Sequence, residues 1–416
     1  MKKLLCVGLL GTLVCMPLAI AAEVSKHRLM WMEDPSSVAT LGWFQSGGEA
    51  AAVYYGSEDH GDEFRKYSER IEAQRRVEVH DGSNQFVTLR GLRPDTEYFY
   101  VVVQGEEVSR RLKFRTAPAK AQPFTFINGG DSRSNRWTRQ ELNKLVAKLK
   151  PLCVSFSGDM VNVPSDEEWD TWFTDWQLTI DEDGRMVPII PHRGNHENKR
   201  GVMTQEFDTP KGSYFSFNVA GNLMRYYALN SEIPAMGKQG DWLKADLETH
   251  AEQVNFLVAG YHKPMRPHVA KKKEGDNTYQ WAELFYQHGM DLVFESDSHC
   301  LKRTQPLVPS TSGEEGFMAK PNDANATVYS GEGSWGAPLR EANDGKSWTL
   351  DCAMLYGFDW VQVSPEKIAL KTVVLTKSGA EGIDSVRHLG DFQSPRGLVE
   401  WNAKGGKVME INADND

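Results

Sequence analysis

"FTFINGGDSRSNRWTRQELNKLVAKLKPLCVSFSGDM", Phe124 to Met160, contains two apolar β-prone runs, each ending in Gly-Asp, on either side of an amphipathic stretch. Leu142, Leu145, Val146 and Leu149 fall at helical spacing on one face of that stretch. Strand, helix and strand in this order predict an α/β sheet layer flanked by helices. In such layers, ligands gather outside the carboxyl ends of the strands.

The pattern continues downstream. "SDEEWDTWFTDWQ" predicts a helix opened by a Ser165 cap, and "MVPIIPHRGN" a strand. A hairpin is expected around "YFSFNVAGNLMRYYAL". Then follow a helix at "GDWLKADLETH", a strand at "VNFLVAGYH", a helix at "QWAELFYQHGM" and a strand at "DLVFES". The strand ends carry the chemistry. The first ends in Gly130-Asp131-Ser132-Arg133, the second in Gly158-Asp159 and the third in Gly194-Asn195-His196-Glu197. The fourth ends at His262; the fifth, in "VFESDSHC", at Asp297 and His299. Carboxylates, an amide oxygen and imidazoles are ligands for divalent or trivalent cations, with no thiolate needed. A single Gly-Asp marks only a turn. Five such ends in succession point to one site.

This series resembles the calcineurin-like metallophosphoesterases. With the β-rich segment in front of it, the chain looks most like their purple acid phosphatase branch, and the resemblance extends to "VYSGEGSWG" and "YGFDWVQVS". The resemblance implies two metal ions (Fe, Mn, Zn or Mg) and a metal-activated hydroxide that attacks a phosphate ester in line at a dinuclear site. Carried over by motif, Asp131 binds the first ion and Asp159 bridges both. Asn195 and His262 bind the second, and His299 returns to the first. His196 faces the substrate. His268, in "HKPMRPH", stands where a substrate-contacting histidine is plausible, with a surface loop as the alternative.

Three positions depart from the pattern. Asn162 stands where the purple enzymes carry their colour-giving tyrosine, so no tyrosinate absorption is expected. Arg133 replaces a histidine found in other branches. Its guanidinium has no lone pair for a metal and is read as a grip on a phosphate oxygen. Asp297 stands where imidazole is usual. As a ligand it would make the second position harder and more anionic; the alternative is a carboxylate that only hydrogen-bonds a neighbouring imidazole.

Other features have plainer readings. Trp169, Trp172 and Trp176 share a helical face and are expected to pack on the sheet. Lys271-Lys272-Lys273 reads as a solvated run, with attraction of an anionic substrate as the alternative. "GEGSWG" matches a dinucleotide fingerprint, but Pro338 interrupts the helix it requires, so it reads as a strand-to-loop turn. His192 reads as scaffold.

Residues 23–118 read as an all-β sandwich that resembles a fibronectin type III module, on "LRGLRPDTEYFYVVV" and "RRLKFRTAP". Residues 119–123 form a linker, 124–376 the α/β metallophosphoesterase domain with its β-sheets between helices, and 377–416 a partly frayed extension. Residues 1–22 have the charged, apolar, small-residue order of a signal peptide, so a secreted or periplasmic location is expected, with no membrane span in the mature chain. Cys153, Cys300 and Cys352 then remain, enough for one disulfide or none. A net charge of −10 argues against nucleic-acid binding. The expected partner is a small phosphate ester. A diesterase, nucleotide hydrolase or pyrophosphatase on the same site is the alternative, as is a metal-poor binding protein that uses the sandwich for adhesion.

Overall fold

The computed structural model describes residues 24–48 and 51–413; the signal-peptide reading of residues 1–22 lies outside them. From Phe124 onward, two β-sheets pack face to face. One contains the parallel strands Phe124–Gly129, Cys153–Phe156 and Ile189–Pro191. The other is built on Met224–Ala228, Phe256–Gly260, Leu292–Glu295 and Val328–Gly331, also parallel. Their apposed faces bury Phe126, Cys153 and Ile190 against Tyr226, Val258, Leu292 and Phe294.

Helices cover both outer faces. Arg136–Leu149 and Asp166–Trp176 lie on the first sheet, where Leu142, Leu145, Val146 and Leu149 form the expected apolar stripe. The Ser165 hydroxyl accepts the Glu168 N–H at 3.3 Å and caps the second of these helices. Trp169, Trp172 and Trp176 are all buried, with Trp172 and Trp176 stacked at 5.1 Å between ring centroids. They are core, as their spacing suggested. Lys238–His250 and Ala282–Gln287 cover the second sheet through Leu243, Leu247, Ala282 and Phe285.

The N-terminal segment is a β-sandwich around Leu29, Leu41, Trp43, Val53, Leu89, Tyr100 and Phe114. Its junction with the rest is closer than a linker at 119–123 suggests. Val24–Met30 pairs in parallel with Ile189–Pro191 through Met30 and Ile189, and the Trp31 N–H donates to Ile189 O at 3.1 Å. One ten-stranded sheet therefore runs through both units.

Residues 377–413 are packed. Ile383 and Val386 join the core, Lys148 Nζ donates to the carbonyls of Ala380 and Ile383, and Val408–Asn412 adds an edge strand. Residues 414–416 lie outside the described part. Cys153, Cys300 and Cys352 are all free. Among the described residues, no helix is long and apolar enough to cross a membrane.

Candidate metal centre

The loops that follow these strands converge at one edge of the paired sheets. Asp131, Asp159, Asp297 and His299 all have left-handed backbones, with φ between 53° and 66°. Non-glycine residues are uncommon there, and such strain persists only where the surroundings over-determine it. Two glycines allow the loops to close. Gly158 has φ of 88°, and a Cβ on it would lie 2.6 Å from the Gly194 nitrogen. A Cβ on Gly333, in "GEGSWG", would lie 1.9 Å from Asp131 Oδ2, so that turn lines the site.

Two ligand triplets result. Oxygen and nitrogen atoms of Asp131, Asp159 and His299 lie within 4.8 Å of one another, as do those of Asp159, His262 and Asp297. Asp159 belongs to both. Asn195 Oδ1 joins the second group, 3.1 Å from His262 Nε2.

The imidazoles are held for ligation through Nε2. His262 Nδ1 lies 2.9 Å from Ser157 O, and His299 Nδ1 lies 2.9 Å from Pro338 O. A ring proton at Nδ1 can go to each carbonyl, which turns Nε2 inward toward the carboxylates. His299 Nε2 then meets Asp131 Oδ1 at 3.0 Å, and His262 Nε2 meets Asp159 Oδ1 at 3.3 Å and Asp297 Oδ1 at 3.6 Å. Asp131 Oδ1 and Asp159 Oδ2 are buried without a hydrogen-bond partner. Carboxylate oxygens and Nε2 atoms thus converge on one another, and a cation bound among them would take the place of the ring protons. The residues therefore fit the metal ions that this ligand series implies.

The electrostatics reflect the same crowding. Burial raises the pKa of the Asp159 carboxyl, outweighing the His262 imidazole. For Asp131, burial likewise pushes the pKa up, but His299 and His262 prevail and it is lowered. Burial also opposes charge on His262, yet the carboxylates of Asp159, Asp131 and Asp297 raise its pKa well above the ordinary value.

Arg133 and His196 stand over this group. Arg133 Nη1 contacts His196 Nε2, Nη2 lies 3.1 Å from His299 Nε2, and Nε lies 3.8 Å from Asp159 Oδ2. His196 Nδ1 faces the Asn162 carbonyl, whereas Asn162 itself is exposed.

Glu197, quoted in the motif but given no role by sequence reasoning, ties two loops together. Its carboxylate accepts the N–H groups of Asp159, Met160 and Gly194 at 2.8–2.9 Å. Burial, then the Asp159 charge, pushes its pKa up to about 7. Its signal in the sequence is a carboxylate two residues beyond the candidate ligand Asn195. Ser132 Oγ donates to Met160 O and accepts the Trp172 indole N–H, both at 3.0 Å, so the tryptophan helix braces the first loop.

His268 is not brought to the group. It is fully buried, with Nδ1 2.9 Å from Glu332 Oε1 and Nε2 2.7 Å from Thr349 Oγ1. A histidine with both ring nitrogens engaged in packed interior cannot touch a substrate, which corrects its expected catalytic role. His192 is likewise interior, 3.1 Å from the Tyr226 hydroxyl. Lys272, in contrast, leaves the solvated run and sets Nζ 2.6 Å from Asp297 Oδ1.

Comparison with known proteins agrees with this geometry. Residues 24–116 match the family described as purple acid phosphatase, N-terminal domain. Purple acid phosphatase 18 of Arabidopsis thaliana is 29% identical over 243 residues, covering 54% of this chain and 54% of the relative. The chain thus spans about half the length of the curated relatives it matches first. Among solved structures, purple acid phosphatase PPD1 from yellow lupin (Lupinus luteus) seeds superposes with a TM-score of 0.67 at 14% identity, covering 87% of this chain and 73% of that one. PhoD superposes with 0.64 at 11% identity, covering 95% and 92%. At such identities these two establish the fold.

Proposed function

From the premise of a purple acid phosphatase-like metallophosphoesterase, we propose that the protein is a metal-dependent hydrolase of phosphate esters. The observation that carries this reading is the sharing of Asp159 between two ligand triplets, with Asp131 Oδ1 and Asp159 Oδ2 buried without a hydrogen-bond partner. Asp131, Asp159 and His299 would hold one cation; Asp159, Asn195, His262 and Asp297 would hold the second. Bound there, divalent or trivalent cations supply Lewis-acid polarisation of the phosphoryl group and lower the pKa of water.

The remaining steps belong to the chain's own side chains. Arg133 would present its planar guanidinium fork to phosphate oxygens. His196 is partly exposed beside it and is placed to stabilise the developing charge or to serve the leaving oxygen. The Nδ1–carbonyl contacts keep His262 and His299 from turning away. Glu197 fixes the Asp159 backbone so that its carboxylate stays between both groups.

The test is turnover of p-nitrophenyl phosphate, bis-p-nitrophenyl phosphate, pyrophosphate and nucleotides by protein reconstituted with Mn, Fe or Zn. Activity that rises with metal content is expected. Fully loaded protein that cleaves none of the panel overturns the proposal.

A further inference from the structure

Lys272 sits in a run of three lysines, but only its neighbours Lys271 and Lys273 are exposed. The loop that carries it is anchored. The Lys272 N–H donates to Val269 O at 2.8 Å, and the Ala270 N–H donates to Asn343 Oδ1 at 3.0 Å. Its ammonium is thereby delivered to Asp297 Oδ1 at 2.6 Å, with 22% of the lysine side chain and 13% of the aspartate exposed. The main chain that carries Asp297 is held in place. Its N–H donates to Asp131 Oδ2 at 2.7 Å, its carbonyl accepts from Arg340 Nη1 at 2.9 Å, and its backbone is fixed in the left-handed region. The carboxylate that completes the second ligand triplet is thus also the carboxylate that Lys272 holds.

Only one cation can sit at close range on that oxygen. An ammonium and a metal ion placed together there repel, and the lysine stem is long and flexible enough to leave. Among the described residues, no lysine or arginine nitrogen lies that close to a carboxylate oxygen of the first triplet, although Arg133 Nη2 lies 3.1 Å from His299 Nε2. Arg133 faces His299 and His196, and its nearest approach to Asp159 is 3.8 Å.

We propose that Lys272 is an internal counter-cation that exchanges with the metal ion on Asp297, so that the second position binds its ion more weakly than the first. This inference rests on the metal-centre reading above and adds to it an asymmetry set by one residue of this chain. The second ion is then the one that responds to metal supply, and the ammonium it displaces stays at the rim on its anchored loop.

The experiment is calorimetric titration of metal-free, full-length protein with Mn²⁺. Lys272→Met keeps the aliphatic stem and removes the charge. It is expected to bind the second equivalent at least about ten-fold more tightly than the unsubstituted protein, in line with the worth of close ion pairs, and the first equivalent unchanged. Lys272→Arg keeps the competitor and is expected to retain the weak second equivalent. Far-ultraviolet circular dichroism melts confirm that both variants are folded. If the unsubstituted protein takes up two equivalents and Lys272→Met leaves the second unchanged or weaker, the exchange is overturned while the metal centre stands. Protein that takes up neither Mn²⁺ nor Zn²⁺ overturns the metal centre, and this inference with it.

Discussion

Two clusters of buried charge lie back to back in this molecule, and they are built on opposite terms. The cluster at the strand ends gathers Asp131, Asp159, Asp297, His262 and His299. Behind it, Glu295, Lys302, Glu332, His268 and Cys300 are each 2% exposed or less. In the rear cluster every charge is answered. Lys302 Nζ pairs with Glu295 Oε2 and lies 2.9 Å from Glu332 Oε1. Glu295 Oε1 accepts the Tyr261 hydroxyl and the Met265 N–H, both at 2.7 Å. Glu332 takes the His268 N–H at 3.0 Å, His268 Nδ1 at 2.9 Å and the Cys300 thiol at 3.1 Å. At the strand ends, in contrast, carboxylate oxygens of Asp131 and Asp159 face inward without partners. Burial of charge alone therefore does not mark a site. Unanswered charge, on backbone held in the left-handed region, does. The two clusters are also coupled mechanically, since Glu332 O accepts the His299 N–H at 2.8 Å and His262 O accepts the Ser296 N–H at 2.8 Å.

The contrast breaks most sharply at Asp159. Asp159→Asn removes the charge shared by both triplets, and a loss of about 10³-fold or more in kcat/KM is expected, together with loss of bound metal. Stability should hold or rise, because burial already disfavours the carboxylate there. Steady-state kinetics, elemental analysis and a thermal melt on the same preparation check all three. Unchanged turnover and metal content would remove Asp159 from the shared position.

Lys302→Met probes the rear cluster and should behave in the reverse way. It strands Glu295 and Glu332 without their cation, and breaking a buried pair in this manner costs about 3–5 kcal/mol. The urea midpoint should fall by that equivalent, while metal stoichiometry in the protein that remains folded should not change. A variant that keeps full stability but loses metal would show that the rear cluster is part of the centre.

What the sequence revealed of these clusters follows their locality. The candidate positions Asp131, Asp159, Asn195 and His262 stand out in the sequence because each follows an apolar β-run within a few residues, so one short window contains both the strand and the candidate ligand. The Ser165 cap and the tryptophan face were legible for the same reason. His268 misled because its loop turns inward to Glu332, 64 residues away in sequence. Lys272 was hidden in a run whose composition suggests solvent, although one of its three ammonium groups reaches Asp297. The pairing of Met30 with Ile189 joins segments that no window spans. Residues 377–413 read as loose from their glycine and acid content, yet the partners that order them, Lys148 and the core around Ile383, lie elsewhere in the chain.

The contrast must also survive a third kind of buried group, one with an unpartnered atom and no claim to a ligand. His27 Nδ1, in the N-terminal sandwich, is buried without a hydrogen-bond partner. It differs from Asp131 and Asp159 in sign and surroundings. Burial, then the charges of Arg110 and Arg28, pushes its pKa down to about 3, so the folded protein keeps the ring neutral. The unfolded chain titrates near 6.5. Between these values the folded state binds fewer protons than the unfolded one, so this contribution to stability is complete above pH 6.5 and is lost progressively as pH falls toward 3. Over the span from pH 6.5 to 4 the loss should be on the order of 2 kcal/mol. Urea titrations at half-unit pH intervals should show this decline, and His27→Leu should flatten it without altering metal content. An unchanged slope in that variant would mean that His27 takes up its proton without unfolding. An unpartnered atom would then say nothing about protonation, and only the convergence of carboxylates and imidazoles would distinguish the strand ends.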